Sequence, residues 1–406
     1  MINFRLLKLS DGWLWLAMGI LILIGLLAIF SSTSSMLLKI NENPFSFVSR
    51  QFASLGVAFV GLIIFSYFDY RYLKQSGPWL YGVMLFLLLL VLFIGGGHAQ
   101  RWIQIAGFSF QPSELAKIII IICLAAFFTD HQKFETIKEN LWLLGIILVP
   151  FLLIFKQPDL GTALVFIAIL IGMLMAIWAS PKLLILIVTP MLSILCRPLF
   201  ILWVIYLIAV ILALFLSHAK TWDWIMILGI NISVGIAMPF IWAMLKGYQR
   251  QRIVTFLNPG ADPYGAGYHS LQSIIAIGSG GFFGKGFLHG TQTQLSFIPE
   301  QFSDFIFSAI GEEFGFIGAV LVVGLFAVMI WRALSISQEA SDQFGKLLVV
   351  GIIVWFSTQA FVNIGAILGV MPLTGIPLPF ISYGGTAMMI ALGATGILAN
   401  ISKQTR

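Results

Sequence analysis

The sequence predicts an all-α polytopic integral membrane protein. Three observations predict it. Of 406 residues, 60% are hydrophobic and only 9% charged, and the mean hydropathy is +1.02, which excludes a water-soluble domain. Apolar runs of roughly 18 residues or more recur along the chain, the length a helix needs to cross a bilayer. Nothing alternates apolar and polar as the strands of an outer-membrane barrel do.

Taken in order, the first apolar run, residues 13–33, is too long for the core of a signal peptide and has no small-residue cleavage site after it, so it is expected to remain as the first helix. Further helices are expected at 49–68, 77–95, 113–129, 141–156 and 160–179. A pair follows at 182–196 and 199–217, where Arg197-Pro198 marks a turn. The remaining helices are placed at 222–246, 304–333, 346–370 and 378–400. About twelve crossings result, in one membrane-embedded domain over residues 1–406. Arg5, Lys8, Lys403 and Arg406 place both termini in the cytoplasm by the positive-inside rule, as do Arg71, Lys74, Lys133, Lys138, Lys182, Lys220 and Arg332 in short loops. Residues 247–303 then form a large external loop, long enough to escape that rule. The net charge of +6 reports mainly those cytoplasmic cations, and nucleic acid is not an expected partner. Cys123 and Cys196 lie far apart without metal or redox spacing and read as buried thiols.

Ionisable residues at membrane depth are costly and usually functional. On this topology Arg50, Arg101, Glu114, Lys117, Lys156, Asp159, Asp304, Glu312 and Glu313 all fall in the external leaflet. The bland reading makes Glu114–Lys117 and Lys156–Asp159 local ion pairs at helix ends. Their gathering on one side favours an outward-opening cavity beneath the 247–303 loop, suited to a lipid with an anionic head group. Arg50, Arg101 and Lys117 are the expected phosphate ligands.

Asp304 directly follows the long polar, Gly-rich interval and opens an apolar helical pattern. A helix-start role, with Ser303 as cap, would explain both residues. The functional reading notes that Ser308, Gly311, Glu312 and Gly315 share the Asp304 face. A carboxylate there can act as general base toward a sugar hydroxyl. GSGGFFGKG (278–286) lacks the GK[ST] ending and strand context of a P-loop, so its glycines are read as turn formers. His269 and His289 are too loosely spaced for a metal site. Pro372, Pro377 and Pro379 precede ISYGG and leave two readings open: a proline-started helix or a broken helix facing a cavity.

The segments RWIQIAGFSFQPSELAK (101–117), QPDLGTAL (157–164), YQRQR (248–252), NPGADPYGAGYHSLQS (258–273), GKGFLHGTQTQLSFIPE (284–300), SDFIFSAIGEEFGF (303–316) and PLTGIPLPFISYGGT (372–386) resemble the SEDS family (shape, elongation, division, sporulation) of peptidoglycan glycosyltransferases, and LHGTQ and GIPLPFISYGG its elongation branch. The resemblance implies polymerisation of lipid II into β-1,4-linked glycan at the bacterial inner membrane, with undecaprenyl pyrophosphate released. It implies Asp304 as the catalytic aspartate and Arg50, Arg101, Glu114, Lys117 and Asp159 as cavity residues. Arg250, Gln272, Glu300, Ser303, Glu312 and Ser382 in the matched segments are further substrate-binding candidates. A divalent cation (Mg or Mn), a class B penicillin-binding transpeptidase and other elongation-complex proteins are the implied cofactor and partners. Alternatives are a lipid II flippase and a non-catalytic scaffold. Two departures stand out: Phe302-Ser303 where the family has His-Thr, and about twelve helices where the family has ten, the extra pair lying at 182–217.

Overall fold

The computed structural model describes residues 11–94, 101–105, 108–131, 137–177, 181–216, 221–245, 247–257, 267–295 and 301–404. Each expected apolar segment carries a helix. These are α1 (Gly12–Lys39), α2 (Ser46–Tyr67), α3 (Arg71–Ile94), α4 (Pro112–Asp130), α5 (Ile137–Lys156), α6 (Leu160–Ala176), α7 (Pro181–Cys196), α8 (Phe200–Leu216) and α9 (Thr221–Met244). Short helices α10 (Gly247–Leu257), α11 (Tyr268–Gly280) and α12 (Thr291–Gln294) lie within the long loop, and α13 (Ile306–Glu339), α14 (Gln343–Ile367) and α15 (Gly385–Gln404) complete the chain. Among the described residues, 8 helices are long and apolar enough to cross a membrane, while α5, α6 and α8 are apolar but shorter. The protein is therefore an integral membrane protein.

Contacts divide the chain into two compact units, one made of Met1–Met173 with Arg252–Arg406 and the other of Leu174–Gln251. The second holds α7, α8 and α9, and so contains the pair expected at 182–217. Its interior is stitched by polar groups. The Trp203 indole donates to Ser193 Oγ at 2.8 Å, and Ser193 donates to the Asn231 carbonyl at 3.0 Å. Tyr206 donates to the Thr189 carbonyl at 2.7 Å, and Asn231 Nδ2 to Thr189 Oγ1 at 3.0 Å. Val210, Leu214 and Ile227 close the apolar core beside them.

In the larger unit helices meet through small residues, as expected where lipid supplies no hydrophobic drive between helices. α2 lies along α15, and a side chain at Gly396 would come within 2.6 Å of the Leu62 carbonyl. α4 meets α14, where a side chain at Gly351 would come 2.4 Å from Ile121.

Two departures from the sequence reading shape the site. The helix expected from 304 starts at Ile306, so Ser303 and Asp304 lie in the turn before it, and Ser303 is not its N-cap. The helix expected from 378 starts only at Gly385; residues 371–384 are not helical and hold Gly375 at φ +72°. Of the two readings of the proline cluster, the broken segment is the one present. A hairpin not foreseen in the sequence, β1 (Ile103–Ile105) with β2 (Phe108–Phe110), pairs Gln104 with Ser109 between α3 and α4.

The glycine-rich 280–286 stretch interlocks with α13. α13 breaks at Gly315 (φ 64°, ψ −159°), which frees backbone groups that the loop then satisfies. Lys285 and Gly286 N–H groups donate to the Glu312 and Glu313 carbonyls at 3.0 Å each. Phe316 N–H donates to the Gly281 carbonyl at 2.9 Å. The face carrying Ser308, Gly311 and Glu312, which the sequence aligned with Asp304, is buried; Gly311 receives α11, where a side chain at Gly280 would stand 2.0 Å from the Gly311 carbonyl.

At the opposite ends of α13 and α2, Asp342 caps α14 by accepting from Gly345 N–H at 2.7 Å, and it also accepts from the Tyr70 hydroxyl and, at 3.4 Å, from Arg71 Nε. Burial alone would raise the Asp342 carboxyl, but the Tyr70, Gly345 and Arg71 donors outweigh it and hold it below its ordinary value. Burial, with Asp342 adding to it, pushes the Tyr70 hydroxyl up.

Two outcomes are expected. Gly284 has φ +82° and any side chain there would stand 2.1 Å from the Glu313 carbonyl. Gly284→Ala should therefore cost roughly 2–3 kcal/mol, read as a lower melting temperature in detergent. Because the Asp342 carboxyl is depressed in the folded state, its stabilisation is full above the unfolded carboxylate range and is lost as pH falls through the folded value. Asp342→Ala should cost about 1 kcal/mol at neutral pH, and its deficit against the unmodified protein should shrink as pH falls through the depressed folded value in a melting series.

Candidate active site

A cavity of about 1200 Å³ opens in the larger unit. Its wall is built from the starts of α2, α4, α6, α13 and α15 and the segments leading into them. Arg50 lies in the first turns of α2, Gln111 and Glu114 at the start of α4, and Asp159 and Thr162 at the start of α6. Ser303-Asp304 precede α13, and Gly375 to Gly385 lead into α15. Helix N-termini present unsatisfied N–H groups and a partial positive charge, so their convergence favours an anion. Arg50 and Arg101 add formal positive charge to the same wall.

The structure thus gathers Arg50, Arg101, Glu114, Asp159, Ser303 and Asp304 around one space. Their roles differ. Among the described residues Arg50 makes no ion pair, and its exposed side chain is available to a ligand. Arg101 is a brace: Nε donates to the Gln157 carbonyl at 3.1 Å, Nη2 donates to the Pro158 carbonyl, and Asp159 Oδ1 lies 4.0 Å away. Asp159 is a buried hub. It caps α6 by accepting from Thr162 N–H at 3.3 Å and Oγ1 at 3.0 Å, and it accepts from Ser113 at 3.2 Å and Gln111 at 3.3 Å.

The backbone at Asp304 is held at three successive carbonyls. Tyr383 N–H donates to the Phe302 carbonyl at 2.9 Å. Ser382 Oγ donates to that of Ser303 at 2.6 Å, and Asn363 Nδ2 to that of Asp304 at 2.9 Å. Phe302 packs against Phe47 at 4.8 Å and Tyr383 at 5.5 Å between ring centres. The residue standing where the family has histidine is thus an apolar anchor.

Other candidates lie elsewhere. Lys117 is fully buried away from the cavity wall, with Nζ 2.7 Å from Glu114 Oε1 and 5.2 Å from the Trp355 ring. Glu312 is fully buried and accepts from Lys285 at 2.8 Å, from Gln292 and Thr293 N–H groups at 2.9 Å each, and from Thr293 Oγ1 at 2.7 Å. It fastens the loop to α13. Arg250, in the smaller unit, donates to the Leu245 and Ala243 carbonyls at 3.1 and 2.6 Å and so caps α9. Gln272 sits on α11 and Ser382 is buried in the clamp; neither lines the cavity. Glu300 lies outside the described residues. The expected roof is also different: from the loop's described residues only Phe302 and Ser303 line the cavity.

Sequence reasoning missed Arg252. A side chain at Gly375 would stand 3.3 Å from Asp304 Oδ2 and 3.5 Å from an Arg252 guanidinium nitrogen, so the cation and the carboxylate converge over the same glycine. The signal was present in the YQRQR segment, but only the earlier arginine was chosen. No protein-made metal cage is found among the described residues, where no three His, Cys, Asp or Glu gather. Asp159 and Glu114 are already engaged by neighbours, so the side chains do not fit a Mg or Mn site of their own.

Comparison with known proteins gives one answer. The family model described as cell cycle protein, FTSW_RODA_SPOVE, matches residues 12–203 and 176–406. The chain is 32% identical over 379 residues to the peptidoglycan glycosyltransferase MrdB of Escherichia coli, covering 93% of this chain and 91% of the relative. It is 35% identical over 428 residues to the peptidoglycan glycosyltransferase RodA of Treponema pallidum, covering 97% of each. Its fold is shared with a chain of a peptidoglycan synthase complex (TM-score 0.69, 24% identity, 98% of both chains). It is likewise shared with the rod shape determining protein RodA of Thermus thermophilus (TM-score 0.61, 21% identity, 97% of both chains). With a family model over nearly its whole length and relatives matched end to end, the chain belongs to the FtsW/RodA/SpoVE family of cell cycle proteins, the SEDS family.

Proposed function

We propose that this protein is a peptidoglycan glycosyltransferase that polymerises lipid II during cell-wall elongation and rod-shape maintenance. The observation that carries the reading is Asp304. It is a carboxylate held in a rigid turn at the wall of a large cavity that also carries Arg50, Arg101 and helix N-termini. A carboxylate beside an anion-attracting wall matches a reaction that removes a proton from one sugar and expels a pyrophosphate from another.

In the proposed step Asp304 accepts the proton of the acceptor GlcNAc 4-hydroxyl as general base. The oxygen attacks the anomeric carbon of the donor, whose bond to the phosphate oxygen breaks. The electron pair leaves on undecaprenyl pyrophosphate, and the new link is β-1,4 with inversion. Arg50 is placed to take a phosphate oxygen by a charge-assisted hydrogen bond, and the helix N-termini stabilise the departing charge. Holding both sugars in one cavity turns a bimolecular encounter into an oriented one. The cavity is proposed to face outward, with both termini cytoplasmic. A class B penicillin-binding transpeptidase is the proposed partner, in keeping with the fold shared with a chain of a synthase complex that coordinates polymerization and crosslinking.

Purified protein with its transpeptidase partner and lipid II tests the reading. Asp304→Asn should lower the polymerisation rate by about 10²–10⁴-fold, read as glycan strands on gels, while lipid II binding persists. Normal strands from this variant would remove Asp304 as the base; transport of lipid II across vesicles without strands would favour a flippase. Arg50→Gln should raise KM for lipid II roughly tenfold, the loss of one charge-assisted hydrogen bond, with kcat changed far less.

A further inference from the structure

Asn363 sits near the C-terminal end of α14, inside the bundle and 4% exposed. A polar side chain there demands a hydrogen-bonding reason. Its amide nitrogen donates 2.9 Å to the Asp304 carbonyl and 2.8 Å to the Ile376 carbonyl. Carbonyl oxygens only accept, so both neighbours require the NH₂ end of the amide, and this fixes which way it points. No isostere reproduces the contact. Leucine has the shape without donors, and aspartate offers at most one.

The two carbonyls belong to different parts of the cavity wall. Asp304 lies in the turn before α13, and Ile376 in the non-helical segment that leads to α15. Ile376 directly follows Gly375, over which the Asp304 carboxylate and the Arg252 guanidinium converge. One amide group therefore sets the spacing between the reactive turn and the glycine that gives its carboxylate room. The neighbouring carbonyl of Ser303 is held separately by Ser382 Oγ, itself fixed by accepting from Leu378 N–H at 2.8 Å. Asn363 stands on α14 and Ser382 within the non-helical segment of the cavity wall, and both act on the main chain beside Asp304. Neither lines the cavity.

We propose that Asn363 is a positioning residue for the glycosyl transfer, aiming the Asp304 carboxylate by locking the 302–304 turn to the non-helical backbone at 375–376 in the cavity wall. This rests on the reading of Asp304 as the base and deepens it. A general base must sit within hydrogen-bond reach of the proton it takes, and a misplacement of about 1 Å costs on the order of 10²-fold in rate. Loosening this lock should therefore slow chemistry and leave the substrate's lipid and pyrophosphate contacts in place.

The test measures polymerisation rate and lipid II binding stoichiometry side by side in the full chain with its transpeptidase partner. Asn363→Leu should lower turnover tenfold or more while the number of lipid II sites and their Kd stay within about twofold of the unmodified protein. Asn363→Asp, the same shape with at most one donor, should show the same pattern and serves if the leucine variant does not fold. Because Asn363 and Ser382 act on one turn, Asn363→Leu with Ser382→Ala should lose less than the product of the two single losses. A turnover equal to the unmodified protein would overturn the proposal, as would a fall in turnover matched by an equal fall in binding sites, which marks simple misfolding. Asp304→Asn measured in the same series separates the two levels. If it is inactive while Asn363→Leu is fully active, only the positioning role falls; if it polymerises normally, the assignment of the base falls.

Discussion

The cavity depends on a short run of main chain being held at every step. Phe302, Ser303 and Asp304 lie where the long loop runs into α13, and no regular helix satisfies their carbonyls. Tyr383 N–H, Ser382 Oγ and Asn363 Nδ2 each take one of them. Backbone groups that leave regular structure at membrane depth are tolerated only where protein or a water-lined cavity satisfies them. The same bonds that make the turn permissible also make it rigid. The proline-rich segment opposite is subject to the same rule, which is why the two are tied to each other.

The electrostatics follow from where helices begin. The wall is built at the starts of α2, α4, α6, α13 and α15, so their dipoles add to the field of the two arginines. Two further carboxylates at the wall make structural contacts. Asp159 is spent on Thr162, Ser113 and Gln111, and Glu114 on Lys117. Two of the carboxylates at the site thus serve architecture, and Asp304 is the one whose role is chemical in the proposed reaction. The Lys117–Glu114 pair is buried at a cost in desolvation, and the Trp355 ring beneath the ammonium offsets part of it.

The fold was largely legible in the sequence because transmembrane helices announce themselves by length and hydropathy. Every apolar segment carries its helix, and the two misjudged starts, at 304 and 378, fall where Ser303-Asp304 and the Pro372–Pro379 cluster lead into a helix. Hydropathy does not see that Ser303 stands in the turn before the helix instead of capping it, with its carbonyl accepting from Ser382. Arg50, Arg101, Glu114, Asp159 and Asp304 do meet at one cavity, but sequence could not sort the residues that line the space from those that fasten it. Glu312 and Lys117 look like ligands by position and are consumed by Thr293, Lys285 and Glu114. Arg252 stands in the same motif as the arginine chosen, and its convergence with Asp304 over Gly375 joins three separate stretches of the chain. The β1–β2 hairpin is too short for any periodicity to reveal.

The three-helix unit of α7, α8 and α9 spends its polar side chains on itself, through Ser193, Trp203, Asn231, Tyr206 and Thr189. These five side chains are thereby satisfied without help from the rest of the chain. Substitutions on the lipid-facing surface of such a block leave the bonds untouched, so that surface can diverge under selection separate from that on the chemistry.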